Sequence, residues 1–264
     1  MEEVKTQGLI LNSNNLNDND KIFTILTRDL GKITAISKGI RSHKHKDFAA
    51  MQSFCYSEFV FSRKTGLYYV SSANVLNNFF GIRNSVEQIS FATYQLDIVK
   101  NLPEDARLED EYFNFILNSL YMISKAEEKC RNGDVVSYLK ALKAVFEIKT
   151  VCSEGFMPYI DACSECSGIK NLKYFDCVRG CVVCDNCIGE RKRAENFVEI
   201  YPSTLRLLSF ICKSDYKMVF AFSANEFNLD IISDIAEHYL ISCLEMYPPS
   251  LTYLKNTVYG EKTV

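Results

Sequence analysis

The chain has few of the features that mark an enzyme or a membrane protein. Only three of its 264 residues are histidines, so general bases are scarce. The sequence contains no glycine-rich phosphate loop, dinucleotide fingerprint, His-Glu-x-x-His motif or nucleophile elbow. No apolar run approaches the roughly 20 residues needed to cross a bilayer. These absences favour a binding protein that is not an enzyme and has no membrane segment.

A secretory pattern is also missing, because the opening Met-Glu-Glu-Val-Lys lacks the basic and then apolar order of a signal peptide. We therefore expect a cytoplasmic protein. In a reducing compartment, clustered cysteines indicate metal or redox chemistry more often than structural disulfides. Of the eleven cysteines, five lie apart in apolar surroundings and are most simply small buried hydrophobes. The other six fall within 25 residues: Cys163, Cys166, Cys177, Cys181, Cys184 and Cys187.

Acidic charge dominates only part of the chain. The net charge is −3, which by itself discourages a nucleic-acid interpretation. Residues 1–80, however, hold ten basic and seven acidic side chains, whereas the remainder holds 20 basic and 26 acidic ones. Because phosphate binding depends on the local field, a cationic patch can exist on an acidic protein.

The first 80 residues show the alternation and turn signals of β structure. An Asn/Asp-rich loop over Asn12–Asp20 and a hairpin turn over Arg63–Gly66 punctuate the pattern. Five short strands with one basic connection suggest a small barrel such as an OB-fold, with a sandwich fragment as the alternative. The predicted strands are Val4–Leu11, Lys21–Thr27, Lys32–Ser37, Phe54–Ser62 and Leu67–Val75.

From Ser85 onward, apolar residues recur at helical spacings of three and four. Pro248-Pro249 is expected to stop the last helix. The predicted helices are Ser85–Lys100, Glu109–Lys129, Val135–Cys152, Ser203–Lys213 and Asn225–Met246.

The cysteine cluster contains two copies of Cys-x-x-Cys-x-Gly, with 17 residues between Cys166 and Cys184. Four thiolates from two such pairs form a closed tetrahedral site for one structural Zn²⁺. Glycine suits this motif because the chain must turn tightly around the metal. We require a glycine two places after each Cys-x-x-Cys pair and call this criterion the glycine rule. It selects Cys163, Cys166, Cys184 and Cys187 as ligands. Cys177 and Cys181 are then extra thiols, and a disulfide cluster or a redox dithiol is the alternative to a metal site.

A basic connection follows the third predicted strand. Its candidate DNA-binding residues are Lys38, Arg41, Lys44 and Lys46. In OB-folds, loops and aromatic surfaces contact single strands, so nearby aromatic residues are candidates for base stacking: Tyr56, Phe59, Tyr68 and Tyr69. The alternatives are a solvated surface loop and aromatic side chains that belong to the core.

Several short elements, in order, resemble the bacterial recombination mediator family RecO. Gly8–Leu11, Asp20–Ile22 and Leu26–Lys32 resemble the family's first barrel strands and turn. Lys38-Gly39-Ile40-Arg41 is similar to the family's Ala-Lys-Gly-x-Arg element. Gly155–Tyr159 resembles the family's lead into its zinc site. Gly180 followed by Cys184 and Cys187 resembles the element that ends that site, although Asp176 and Cys181 depart from the usual serine and glycine.

The resemblance implies an α+β protein with an OB-fold barrel over residues 1–80. A helical domain would follow over 81–264, with an embedded zinc segment at 163–187. It also implies a nucleoid-associated protein that binds single- and double-stranded DNA and anneals complementary strands. Such a protein helps RecA load onto DNA coated by single-strand-binding protein (SSB). The implied partners are RecR and the C-terminal tail of SSB, with RecA engaged indirectly.

Two other functions are compatible with the residues themselves. One is a zinc-containing structural or transcription-linked adaptor without annealing activity. The other is a thiol enzyme that uses Cys177 or Cys181.

Overall fold

The computed structural model describes residues 3–103, 109–130, 134–221 and 224–260. The chain forms two compact units. The first unit comprises Met1–Lys125 and Pro248–Val264, and the second comprises Ala126–Tyr247. The second unit is therefore an insertion, because the chain leaves the first unit at Lys125 and returns to it at Pro248. Among the described residues, no helix has both the length and the apolar composition of a membrane span.

Five strands close into a barrel at the start of the first unit. The strand order β1-β2-β3-β5-β4, with β1 also paired to β4, is that of an OB-fold. All pairings are antiparallel except β3 with β5. The sandwich alternative is therefore excluded. The strands are β1 (Glu3–Asn15), β2 (Lys21–Thr27), β3 (Gly31–Ser37), β4 (Tyr56–Lys64) and β5 (Leu67–Asn77).

Alternating apolar side chains fill the barrel, as the period of two predicts. Phe23 and Ile25 on β2 face Phe59 and Phe61 on β4 in one buried cluster, and the two phenylalanines of β4 are stacked 5.3 Å apart. Phe59 is fully buried. The prediction that Phe59 offers a stacking surface for bases is therefore wrong, and its alternative, a place in the core, is correct.

Helices α1 (Val86–Asn101), α2 (Asp110–Ser124) and α8 (Pro249–Leu254) complete the first unit. Ser85 caps α1 by accepting a hydrogen bond from the Gln88 amide at 3.2 Å. The side chain of Gln88 in turn donates to the Ile123 carbonyl of α2 at 2.7 Å. Arg28, in the β2–β3 turn, bonds to Asp110 of α2 at 2.8 Å, which fixes the barrel against this helix.

The second unit combines helices with a small sheet of order β7-β6-β8. Lys143, on α4 (Val135–Ser153), is buried. Its ammonium pairs with Glu147 of the same helix at 2.9 Å and with Glu237 of α7 (Glu226–Leu244) at 2.8 Å. The helices are α3 (Ala126–Lys129), α4 (Val135–Ser153), α5 (Asp185–Ile188), α6 (Pro202–Lys213) and α7 (Glu226–Leu244). The strands are β6 (Leu172–Asp176), β7 (Cys181–Cys184) and β8 (Phe197–Glu199).

The predicted α+β class and the order of barrel and helices are confirmed, but several boundaries differ. β1 continues through Asn15, where a loop was expected from Asn12, because the polar end of β1 pairs with β2 as far as Lys21. The long helix predicted over Glu109–Lys129 is interrupted at Lys125. Pro249 begins α8 instead of stopping α7, since proline fits the first turn of a helix.

Candidate metal centre and nucleic-acid interface

Four thiols meet in the second unit. The sulfur atoms of the four cysteines lie within 4.8 Å of one another, and such a group can hold a metal ion. Two of the cysteines precede β6, one ends β7 and one belongs to α5. The contributing residues are Cys163, Cys166, Cys184 and Cys187, which the glycine rule selected.

The backbone around these thiols turns tightly. The Cys163 amide donates to the Gly168 carbonyl at 2.9 Å, and the Cys184 amide donates to the Cys163 sulfur at 3.4 Å. A Cβ on Gly168 would lie 3.3 Å from the Cys166 sulfur, which is closer than ordinary packing allows. Gly189, after the second pair, has a φ of +55°. In the first motif glycine lets the backbone approach a cysteine sulfur closely, and in the second it allows a positive φ.

The electrostatics of the thiols suit a cation. Burial opposes ionisation of Cys163, but amide donors from Cys184, Cys166 and Glu165 lower its pKa to about 6. The pKa of Cys187 is raised to about 12, chiefly by Cys184 and Cys166. Ionisation of one thiol thus makes ionisation of its neighbours less favourable, and a bound divalent cation would offset the repulsion between the thiolates. The donor set of four sulfurs fits zinc, whose presence stays a prediction.

The two extra thiols lie outside this group of four. Cys181 begins β7 and Cys177 sits in the β6–β7 turn. Burial, aided by the nearby carboxylates of Asp176 and Asp234, raises the pKa of Cys177 to about 12. A thiol in this state is a poor nucleophile at neutral pH, which weighs against a thiol enzyme that uses Cys177.

Side chains that sequence reasoning missed also support the cysteine group. Glu165 accepts hydrogen bonds from Arg191 and Arg179, both at 3.0 Å, and these two partners lower its pKa. Arg191 also donates to the Cys187 carbonyl at 2.7 Å, so it links the two cysteine pairs. Their separation in sequence, up to 26 residues, hid this pairing.

Asp176, just before the β6–β7 turn, has a clear structural role. Its carboxylate accepts hydrogen bonds from the Val178 and Arg179 amides at 3.0 and 3.1 Å. It also accepts one from the Asn196 side chain at 2.9 Å. The carboxylate thereby organises the turn that leads into β7 and its cysteine ligand position.

The four candidate DNA-binding cations lie in the connection between β3 and β4 of the barrel. All four side chains are exposed. Arg41 donates to the Asn17 carbonyl at 2.8 Å, and the Gly39 amide donates to the Asp20 carboxylate at 2.7 Å. Hydrogen bonds from Asn17 and Gly39, and then the charge of Lys38, lower the pKa of Asp20. These bonds attach the basic loop to the β1–β2 loop.

Two tyrosines of β5 stand beside cations. The Lys38 ammonium lies 5.7 Å from the Tyr69 ring, and the Arg63 guanidinium lies 5.6 Å from the Tyr68 ring. Tyr56 instead bonds to Gln7 and packs near a helix of the same unit. Both rings are half-buried. Tyr68 also packs against the buried cluster of the barrel, with its ring 5.9 Å from that of Phe61, so the candidate stacking residue is Tyr69.

The sequence pattern assigns Arg63 and Lys64 only to a hairpin turn. In OB-folds, however, the loop between β4 and β5 commonly contacts the ligand. This position in the fold was the signal that could have identified them. We use the name DNA face for the candidate surface formed by Lys38, Arg41, Lys44 and Lys46, together with Tyr69, Arg63 and Lys64.

Comparison with known families matches nearly the whole chain. The family model described as "Recombination protein O N terminal" matches residues 1–79, and "Recombination protein O C terminal" matches residues 83–252. The chain belongs to the RecO family. The DNA repair protein RecO of Acetivibrio thermocellus is 30% identical over 256 residues, which cover 97% of each chain. The RecO of Caldicellulosiruptor saccharolyticus is 31% identical over 82% of this chain and 83% of its own.

The DNA repair protein RecO of Clostridium perfringens is also similar, with 26% identity over 97% of this chain and 98% of its own. The family models match residues in both units, and this is a RecO-family DNA repair protein. The barrel and the group of four cysteines described above are both inside the matched ranges.

Proposed function

We propose that this RecO-family protein binds single- and double-stranded DNA and anneals complementary strands. It would assist RecA loading onto SSB-coated single strands together with RecR. The observation that carries the proposal is the DNA face: exposed cations on an OB-fold barrel, with Lys38 beside the half-buried Tyr69 ring. This combination matches the cationic groove and stacking platform of proteins that bind single strands.

The proposed mechanism needs no covalent chemistry. Lys38, Arg41 and their neighbours neutralise phosphates and release counterions, which gives an affinity that falls with salt. Tyr69 stacks bases without sequence preference. Annealing follows when the protein screens the repulsion between two strands and leaves their pairing edges free.

The proposed metal is one structural zinc. The four cysteine sulfurs leave no open coordination position, so the ion would stabilise the second unit and would not activate water. The proposed partners, besides DNA, are RecR and the C-terminal tail of SSB, with RecA engaged indirectly. This role would place the protein at the nucleoid, in the cytoplasm.

Replacement of all four loop cations tests the DNA assignment. We expect K38A/R41A/K44A/K46A to weaken binding of a fluorescent oligothymidylate, measured by anisotropy at several salt concentrations. Each lost phosphate contact removes about 0.7 from the slope of log K against log salt, so the slope should become less negative by up to about three. Annealing of complementary oligonucleotides should slow in parallel.

A matched control removes the same number and kind of charges from the second unit. Lys170, Lys192, Arg193 and Lys217 are exposed there, and their alanine variant should keep the parental slope. Equal weakening in both variants, or none in the loop variant at low salt, would refute the assignment. DNA binding without any annealing would favour the adaptor alternative.

A further inference from the structure

A cavity of about 380 Å³ lies in the first unit, where the end of β1 and the start of β2 meet the basic loop. Its apolar lining includes Phe23, Ile40 and Met51, all of which are buried. Its polar lining includes Arg41 and His43, which are exposed, so the cavity reaches the surface of the protein. Ligand sites are usually concave spaces of roughly 300–1,000 Å³, and this cavity has that size.

The charge of the lining has one sign. Lys21 and Arg41 line the cavity, and none of the described residues that line it is a carboxylate. Within the described part of the chain, the Lys21 ammonium has no carboxylate within 4.0 Å. Arg41 uses one nitrogen on the Asn17 carbonyl, which leaves further guanidinium donors. The cavity therefore offers two cations to an anionic group.

The same cavity has an aromatic wall. The His43 and Phe48 rings lie 4.7 Å apart at an angle of 63°, and both line the space. Gln52 donates to the Phe48 carbonyl at 2.8 Å and so helps to hold this segment. An aromatic wall beside cations is suited to a ligand that joins a planar ring to a phosphate.

A second cavity in the first unit provides a contrast. It measures about 240 Å³ and is lined by the Asp97 carboxylate and by Lys100, which pair with each other at 2.9 Å. Its described lining includes no unpaired cation of the kind found at Lys21, and its carboxylate would repel a phosphate.

We propose that the larger cavity binds one nucleotide of a DNA strand, with the base against Phe48 and the phosphate between Lys21 and Arg41. This inference rests on the proposed function and adds a specific subsite to it. The captured nucleotide would be unstacked from its neighbours, as in other sites that take a base out of the strand. It would hold the strand on the barrel while the other bases stay free to pair.

The test uses the full-length protein and four probes: thymidine monophosphate, thymidine, inorganic phosphate and an oligothymidylate of 15 nucleotides. Ligand-observed NMR measures the small probes, and anisotropy measures the oligonucleotide. We expect the monophosphate to bind more tightly than thymidine or phosphate alone. Saturating oligonucleotide should displace it, because a strand nucleotide then occupies the cavity.

Phe48→Leu keeps an apolar side chain and removes the aromatic ring, and Lys21→Gln removes one cation. Each should weaken monophosphate binding at least tenfold, whereas Lys170→Gln, the same change at an exposed lysine of the second unit, should leave it unchanged. If Phe48→Leu fails to fold, Lys21→Gln alone still decides the outcome.

Three results would overturn the subsite: no monophosphate binding, equal binding by the Lys21→Gln variant, or monophosphate that stays bound under saturating oligonucleotide. The last result would identify a free nucleotide as the ligand. If the oligonucleotide still binds in these cases, the proposed DNA function survives without the subsite. If the oligonucleotide itself fails to bind, the proposed function fails.

Discussion

Gly180 shows how one residue without a side chain positions the cysteine segment. Its φ is +61°, and a Cβ there would lie 2.4 Å from the Tyr239 hydroxyl oxygen. Tyr239 is held in place by its hydrogen bond to the Phe156 carbonyl at 3.0 Å and by an edge contact with Phe175. Gly180 itself donates to the Asp176 carbonyl at 2.8 Å. The turn before β7 therefore has neither room nor backbone freedom for a larger residue.

We expect Gly180→Ala to lower the free energy of unfolding by roughly 2–5 kcal/mol, because a left-handed conformation and a steric clash add together. Gly155→Ala is the matched control: its φ is +93°, but no atom of the described residues lies within 4 Å of the added Cβ. That variant should lose only about 1–2 kcal/mol. Urea unfolding of both variants measures the difference, and equal losses would contradict the packing argument.

At the scale of residues, local spacing was informative and distant partners were not. The repeated Cys-x-x-Cys-x-Gly pattern selected the four cysteines that the structure groups, because metal-ligand spacing is set by the local turn. The role of Asp176 was hidden, since its partner Asn196 lies 20 residues away. Phe59 was misjudged for a related reason: sequence cannot tell which face of a closed barrel an aromatic residue occupies.

Among the elements, α8 depends on a partner far away in sequence. The Asp97 carboxylate of α1 accepts a hydrogen bond from the Ser250 hydroxyl at 2.7 Å and pairs with Lys100 at 2.9 Å. Burial opposes ionisation of Asp97, but the bonds from Lys100 and Ser250 outweigh it and lower its pKa below the ordinary 3.8. The charged form of Asp97 therefore stabilises the attachment of α8 to α1.

The sign of this pKa shift sets the pH dependence. Since the folded pKa of Asp97 is lower than the unfolded one, its contribution is complete above about pH 4 and disappears as the pH falls through the folded value. We expect Asp97→Asn to lower the urea midpoint at pH 6, and the difference from the parent to shrink as the pH falls from 4 toward 3. Asp18→Asn, a change at an exposed carboxylate, should follow the parental curve. A constant difference for Asp97→Asn at every pH would exclude the ionic contribution.

Element boundaries were predictable where the pattern itself ended and unpredictable where a partner decided them. β2 begins and ends as expected, at Lys21 and Thr27, because both alternation and turn residues mark it. β1 extends beyond its apolar run because its Asn-rich end pairs with β2. α8 was not foreseen, since its six residues have no long period and are held by contacts with α1.

At the scale of the whole molecule, the excess of basic side chains and the candidate metal site lie in different parts of the chain. The acidic total of −3 coexists with an excess of three basic side chains in residues 1–80, and the proposed DNA face lies entirely in that segment. The four cysteines all lie in the inserted second unit, Ala126–Tyr247. Composition could indicate the charge excess, but the insertion could not be predicted, because no signal in the sequence links Pro248 back to the first unit. The division of the chain near residue 80 stays a prediction.

This separation predicts that metal and DNA affinity can be uncoupled. We expect one zinc per chain in the parent and in Cys177→Ser, and none in Cys166→Ser, by elemental analysis of purified protein. The Cys166→Ser variant should unfold at a lower temperature, because the zinc-bound state no longer stabilises the second unit. Its affinity for an oligothymidylate should stay within about twofold of the parent, since the proposed DNA contacts lie in the first unit. A chelator should reproduce both effects in the parent protein. If oligonucleotide affinity instead falls in step with zinc content, the second unit contributes directly to DNA binding, and the DNA face of the first unit does not by itself account for the affinity.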